Sequence, residues 1–218
     1  MPAHRLTKQV LVWAEKARGL NWNNKTKGMF HALNIPQYCN ISNHIDKVTG
    51  LGEINDSLNR ENESKWIEVL NKENARSGKG KNKLRTYRMF KNQFNTEKYV
   101  ECILPRLHRS ALAKFRCGTA PIRIETGRYE GVEVDQRICL LCNNGVEDEK
   151  HVLLECPFYN EYRKSLFSVF CQHLCGFLCL NKEHQLIHIL GCSELNLVRI
   201  VAKTCHKILE HRRNLFYN

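Results

Sequence analysis

Several absences limit what this 218-residue chain can be. No stretch reaches the roughly 18 uncharged apolar residues that a membrane-spanning helix requires, so we expect no membrane segment. The N-terminal stretch MPAHRLTKQVLVWAEK is charged throughout and does not have the apolar centre of a secretion signal. We therefore expect an intracellular protein, nuclear or cytoplasmic. The eleven cysteines are an odd number and, without a secretion signal, do not indicate a disulfide framework.

Strand-type alternation is also scarce, since none is longer than VEV at 132–134. Apolar residues instead recur at helical spacing, which predicts a mainly α protein. The predicted elements include a helix over 6–17, a hairpin of helices around 54–70 and a basic amphipathic helix over 83–94. A further helix is predicted over 105–118, beginning at Pro105 and stopping at Gly118. A buried apolar helix is expected over 166–180 and a packing helix over 194–217. Within 105–118, we expect Leu107, Ala111, Leu112 and Phe115 to face the core.

Acidic residues are few in the first part of the chain, and the net charge is +12. Residues 1–130 carry 24 lysines and arginines against 12 acids, whereas residues 131–218 carry 10 of each. The densest block, residues 76–128, holds 14 basic and 3 acidic residues. Such a block attracts a polyanion, with nucleic acid favoured over an anionic membrane. A solvated basic surface without a ligand is the alternative interpretation.

The predicted phosphate contacts are the basic side chains of this block together with Arg137, which precedes the first clustered cysteine. They are Lys79, Lys81, Lys83, Arg85, Arg88, Lys91, Arg106, Arg109, Lys114, Arg116, Arg123, Arg128 and Arg137.

The segment CLLCNNGVEDEKHVLLECP, residues 139–157, predicts a metal site. Cys139 and Cys142 form a Cys-x2-Cys turn, residues 143–145 predict a second turn, and the acidic residues 147–149 favour the start of a helix. His151 and Cys156 follow at a spacing that can complete a tetrahedron. Thiolate and imidazole ligands favour zinc over magnesium or calcium. Four protein ligands leave no open position, so we predict one structural Zn²⁺. No side chain pairs a nucleophile with a base, and we therefore expect a binding module rather than an enzyme.

One feature of this spacing conflicts with a regular helix. Five positions turn the side chain by roughly 140° beyond a full turn, so His151 and Cys156 would not share a helical face. The helix must open or tighten before Pro157. A second metal site is not expected, because Cys171, Cys175 and Cys179 step by four along an apolar stretch, as buried core cysteines do.

Three segments resemble the C-terminal region of non-LTR (LINE-type) retrotransposon polyproteins: KLRTYRMFKNQF, HRSALAKFRCGTAPIRIETGRYEG and RICLLCNNGVEDEKHVLLECPFYNEYR. The last is similar to the reverse-transcriptase zinc-binding segment that follows the polymerase. The resemblance covers about residues 83–163 most strongly. It implies zinc ligation by Cys139, Cys142, His151 and Cys156, and a role in gripping template RNA or target DNA. However, the Asp-Asp pair of the polymerase and the Pro-Asp of a later nuclease are both absent.

The sequence thus predicts an irregular helical region followed by a CCHC zinc knuckle and a C-terminal set of packed helices. The predicted divisions are 1–74, 75–130, 131–163 and 164–218. The expected function is zinc-stabilised, non-catalytic binding of RNA or DNA through phosphates. A protein-interaction or scaffold module, and a retrotransposon relic without selected function, stay open as alternatives.

Overall fold

The computed structural model describes residues 22–36, 47–75 and 84–217. The N-terminal helix expected around 6–17 and the predicted phosphate contacts Lys79, Lys81 and Lys83 lie outside the described residues. The chain divides into two compact units, residues 1–69 and 70–218. Described residues are mainly helical, as predicted, and their one β-type pairing is the isolated bridge between Ile138 and Val146.

In the first unit, α1 spans Trp22–Ala32 and ends at Asn34, which has a left-handed φ of 57°. Helix α2 spans Lys47–Ala75 without interruption, so the predicted helical hairpin around 54–70 is wrong. The sequence holds no proline over this range, and an i,i+4 pair between Glu61 and Lys65 supports the continuous helix. Leu33 and Ile35 are buried, and Ser57 donates a hydrogen bond to the Leu33 carbonyl.

The second unit contains the remaining helices. They are α3 (Tyr87–Phe90), α4 (Lys98–Glu101), α5 (Arg106–Cys117), α6 (Arg123–Tyr129), α7 (Asn160–His173), α8 (Lys182–Gly191) and α9 (Leu195–Tyr217). Short 3-10 turns lie at Val134–Gln136, Pro157–Tyr159 and Phe177–Cys179, and a π-helical turn lies at His151–Glu155.

Helices α5 and α9 form where the sequence predicts them. Gly118 ends α5 in the left-handed conformation (φ 67°), and a Cβ there would lie 3.2 Å from Arg85 Cγ. Ala111, Leu112 and Phe115 are buried as expected, but Leu107 is 64% exposed, contrary to the prediction. The basic helix expected over 83–94 is wrong, because only Tyr87–Phe90 is helical and Lys91, the next residue, is extended.

One core joins all parts of the second unit. Its buried residues come from α5 (Leu112), the metal-site segment (Cys139, Cys156), α7 (Phe170) and α9 (Val201). The predicted basic segment, knuckle and C-terminal helices therefore contribute to the same hydrophobic cluster.

The expected buried helix over 166–180 ends early, because α7 stops at His173 and Gly176 follows with a φ of 78°. Cys171, Cys175 and Cys179 are exposed, so their predicted burial is wrong. Leu166, Phe170 and Phe177 fill the core there instead.

No single helix within the described ranges is long and apolar enough to cross a membrane. The bent pair Lys182–Gly191 and Leu195–Phe216 meets that requirement only when its two helices are taken together, at 109° to each other.

Candidate metal centre

The first two cysteines of the cluster lie in a tight turn that the backbone closes on itself. Cys139 N–H donates to the Gly145 carbonyl at 3.0 Å, and Asn143 N–H donates to the Cys139 carbonyl at 2.9 Å. Asn143 and Gly145 have φ values of 53° and 77°, which asparagine and glycine tolerate best. The predicted turn at 143–145 thus brings Cys139 and Cys142 to one side of a small loop.

The other two ligands lie at either end of the π-helical turn. Asp148 Oδ1 accepts a hydrogen bond from His151 N–H at 2.7 Å and so caps this turn. Cys156 N–H donates to the His151 carbonyl, five residues earlier, at 2.7 Å. The helix therefore opens rather than tightens, and the wider turn aligns two side chains that a regular helix would separate. Pro157 then starts the next 3-10 turn.

The four ligand atoms converge on one point. All of them lie within 4.8 Å of one another. Cys139 Sγ is 3.9 Å from Cys156 Sγ, and Cys142 Sγ is 3.2 Å from His151 Nε2. A tetrahedral ion with Zn–S bonds of about 2.3 Å holds its sulfurs about 3.8 Å apart. This Cys3His cluster could therefore hold one metal ion.

Burial raises the pKa of two thiols of this cluster. It raises the pKa of Cys139 to about 12, while the backbone N–H groups of Cys142 and Leu141 lower this pKa by a smaller amount. Burial also raises the pKa of Cys156. Without a metal these thiols hold their protons, and a bound cation would displace them.

Both ring nitrogens of His151 lie near side chains that can interact with them. Nε2 is 3.2 Å from Cys142 Sγ, and Nδ1 is 3.7 Å from Glu155 Oε2, which is beyond hydrogen-bond distance.

Sequence reasoning missed a buried carboxylate next to the cluster. Glu147 is fully buried, and its Oε1 lies 3.6 Å from Cys139 Sγ and accepts from the Arg212 guanidinium. Its Oε2 accepts from Arg123 N–H at 2.7 Å. Arg163, also buried, donates to the Cys156 carbonyl. The sequence signal was an acidic triplet, residues 147–149, but it indicated only a helix start and not a distant arginine partner.

Two of the predicted phosphate contacts occupy buried positions. Arg137 is 3% exposed and donates to the carbonyls of Ile124 (2.8 Å) and Val132 (2.9 Å). Arg116 is 4% exposed, donates to the Leu190 carbonyl and lies 4.4 Å above the Phe90 ring. Both guanidiniums satisfy backbone carbonyls inside the protein, so we leave them out of the proposed nucleic-acid surface.

Four further predicted contacts pair with carboxylates. The pairs are Arg85 with Glu149, Lys91 with Glu97, Arg123 with Glu130 and Arg128 with Glu125. Burial raises the pKa of Glu149, and the Arg85 guanidinium opposes this shift. Arg88 is half-buried.

The exposed members of the predicted set lie together on α5. Arg106, Arg109 and Lys114 are exposed, and Arg109 donates to the Cys102 carbonyl at 3.0 Å. Within the described residues, no carboxylate lies within ion-pair distance of Arg106 or Lys114. Of the basic block, α5 therefore offers the clearest surface to a polyanion.

Comparisons with models of protein families, with curated proteins and with solved structures find no match for this chain. The resemblance to LINE-type polyproteins therefore stays a prediction.

Proposed function

We propose that this chain is a zinc-stabilised, non-catalytic module that binds RNA or DNA mainly through phosphates. The observation that carries the proposal is the convergence of Cys139, Cys142, His151 and Cys156 on one point. Three thiolates and one imidazole form a soft donor set that suits Zn²⁺, and four protein ligands suit a structural site. We further propose that the module derives from a LINE-type polyprotein, on the sequence resemblance alone.

The nucleic-acid part of the proposal rests on charge. A site of three thiolates, one neutral imidazole and a divalent ion has a net charge of about −1, so it does not itself attract phosphate. The attraction comes from exposed cations such as Arg106 and Lys114 and from the net charge of +12. The zinc holds the fold that presents them.

A second candidate is a protein-interaction module. It is favoured by three exposed apolar side chains that precede or begin α5: Val100 (50%), Ile103 (88%) and Leu107 (64%). Exposed apolar side chains that form a contiguous patch mark protein-interaction sites.

The test has two parts, both on the full chain purified in reducing buffer without chelator. The first counts zinc per chain. We expect one zinc in the wild type, none in Cys142→Ser, and one in the matched control Cys175→Ser, whose cysteine is exposed and outside the cluster. A folded wild type without zinc would contradict the metal assignment.

The second part measures oligonucleotide binding by fluorescence anisotropy over a salt series. With about 6–10 phosphate contacts, affinity should fall roughly 10³–10⁵-fold between 50 and 200 mM salt. A flat salt dependence would favour the protein-interaction module instead.

A further inference from the structure

A groove runs between helices α5 and α9 of the second unit. The His108 and His206 rings approach to 5.0 Å between centroids, and Arg212 Nε donates to the Pro121 carbonyl at 3.0 Å. Residue 108 of α5 thus lies beside residue 206 of α9, and Pro121, just after α5, lies beside residue 212. The space between the two helices has a volume of about 370 Å³.

The groove is apolar at its base and cationic at its edges. Leu107, Ala111, Pro121 and Leu209 supply apolar surface. The basic lining residues are Lys114 of α5 and His206, Arg212 and Arg213 of α9. Lys114 and Arg213 are exposed and form the cationic edges, whereas Arg212 is buried against Glu147. The one acidic lining residue, Glu210, lies 3.9 Å from Arg213 and 4.0 Å from His206.

The cationic edge extends along α9 beyond the groove. Residues 199, 203, 206, 210 and 213 follow one another at three- and four-residue spacing, so they form one stripe of the helix surface. Arg199, Lys203 and Arg213 are exposed within it. No carboxylate of the described residues lies within ion-pair distance of Lys203. Burial lowers the pKa of His108, the nearby His206 and Lys203 lower it further, and Glu210 opposes this shift.

The net charge of the C-terminal part of the sequence does not reveal this stripe. Residues 131–218 have no net charge, because their basic residues are matched by equal numbers of acids. Arg137, Arg163 and Arg212 are buried, whereas Arg199, Lys203 and Arg213 are exposed on α9.

We infer that this groove is the binding site for a single strand of nucleic acid. This inference rests on the proposed function and specifies its binding site. A single strand offers unstacked bases to an apolar floor and phosphates to cationic edges, whereas a duplex hides its bases. The volume falls within the range of about 300–1,000 Å³ that is typical of ligand pockets. Lys114, Lys203 and Arg213 would contact phosphates, and Leu107 and Leu209 would contact a base.

The experiment compares two double variants of the zinc-loaded full chain. Lys114→Gln with Arg213→Gln removes two cations from the groove. Lys98→Gln with Lys164→Gln removes two exposed cations that do not line it. Anisotropy is measured with a 20-nucleotide polyuridine strand and with a duplex of equal length, and thermal melting followed by circular dichroism confirms that each variant folds.

We expect the groove variant to bind the single strand at least tenfold more weakly, while the control changes by less than twofold. Two lost contacts should reduce the slope of log affinity against log salt by about 1.4, since each contact to a single strand contributes about 0.7. Leu107→Ser should weaken single-strand binding without changing this slope, because it removes apolar contact and no charge.

Equal binding by the groove and control variants would overturn the groove assignment while leaving the proposed function intact. Equal affinity of the wild type for duplex and single strand would also overturn it. If the wild type binds neither oligonucleotide, the proposed function fails as well. Binding of polyglutamate that the groove variant alone loses would then assign the groove to an acidic protein partner.

Discussion

At the scale of single residues, Tyr159 shows how burial near the metal cluster sets a chemical property. Its side chain is fully buried, and its ring packs edge-on against His211 at 6.3 Å. Burial raises the pKa of Tyr159 to about 12, and Arg212 lowers it by a smaller amount. In the unfolded chain the same hydroxyl titrates near its usual value of about 10.

This difference predicts a pH-dependent loss of stability. The folded-state pKa is raised, so the contribution of Tyr159 is fully present below pH ~10 and is lost as the pH rises toward ~12. Over that window the wild type should lose up to about 1.4 kcal/mol per pH unit relative to Tyr159→Phe. Urea unfolding at pH 9 and pH 11 measures the difference. Tyr129→Phe, at a tyrosine that is 77% exposed, should show no such change.

The four metal-cluster residues could be predicted because their spacing and turn residues act locally. Whether an individual arginine side chain is exposed or buried could not be predicted. Arg106 and Arg116 both lie on α5. Arg106 is exposed, whereas Arg116 is buried and donates to the Leu190 carbonyl. The contact with this distant backbone carbonyl distinguishes the two arginines, and a sequence window around α5 does not contain residue 190.

At the scale of elements, a buried ion pair joins the metal-site segment to α9. Glu147 is fully buried, Arg212 is 6% exposed, and 65 residues of chain separate them. A buried carboxylate left without its partner destabilises a protein far more than a broken surface pair does.

We therefore predict that Arg212→Met lowers the free energy of unfolding by about 3–5 kcal/mol. Arg213→Met is the matched control, since the adjacent Arg213 is exposed and its pair with Glu210 is 3.9 Å apart at the surface. It should change stability by less than about 1 kcal/mol. Chemical denaturation with zinc present measures both, and equal effects would show that the Glu147–Arg212 pair does not link these elements.

Element prediction worked where capping and periodicity agreed. Helix α5 begins after Pro105 and ends at Gly118, and α9 carries a regular apolar stripe with Val198, Val201, Ala202, Cys205 and Ile208 buried. It failed for 83–94, because Phe90 and Arg116 pack on each other and Lys91 pairs with Glu97, contacts that favour an extended chain after Phe90. The sequence predicted the π-helical turn only indirectly, because the spacing of His151 and Cys156 does not fit a regular helix.

At the scale of the whole molecule, the metal cluster is part of a larger core. Cys139 and Cys156 belong to the same buried cluster as Leu112, Phe170 and Val201. The sequence alone predicts that losing a ligand such as Cys139 unfolds residues 137–157. A shared core predicts that a metal bound at this cluster would stabilise the whole second unit.

The free energies of zinc binding and of folding support this expectation. Structural zinc contributes an apparent ~10–16 kcal/mol in small zinc-finger peptides, whereas a whole domain is stable by only about 5–15 kcal/mol. Removing the ion would therefore take away a free energy comparable to the entire stability of the unit. Local opening of the knuckle alone would also expose core residues such as Val152 and Leu153, which are fully buried.

We predict that a zinc chelator collapses hydrogen-exchange protection in α5, α8 and α9 together with residues 137–157, and that added zinc restores it. Exchange followed by mass spectrometry on the full chain locates the change peptide by peptide. Loss confined to 137–157 would mean that the knuckle is an independent folding unit, despite the core it shares with α9. Loss across the unit would mean that the zinc determines whether the cationic edges of α5 and α9 stay in place, so that metal content and nucleic-acid affinity should fall together.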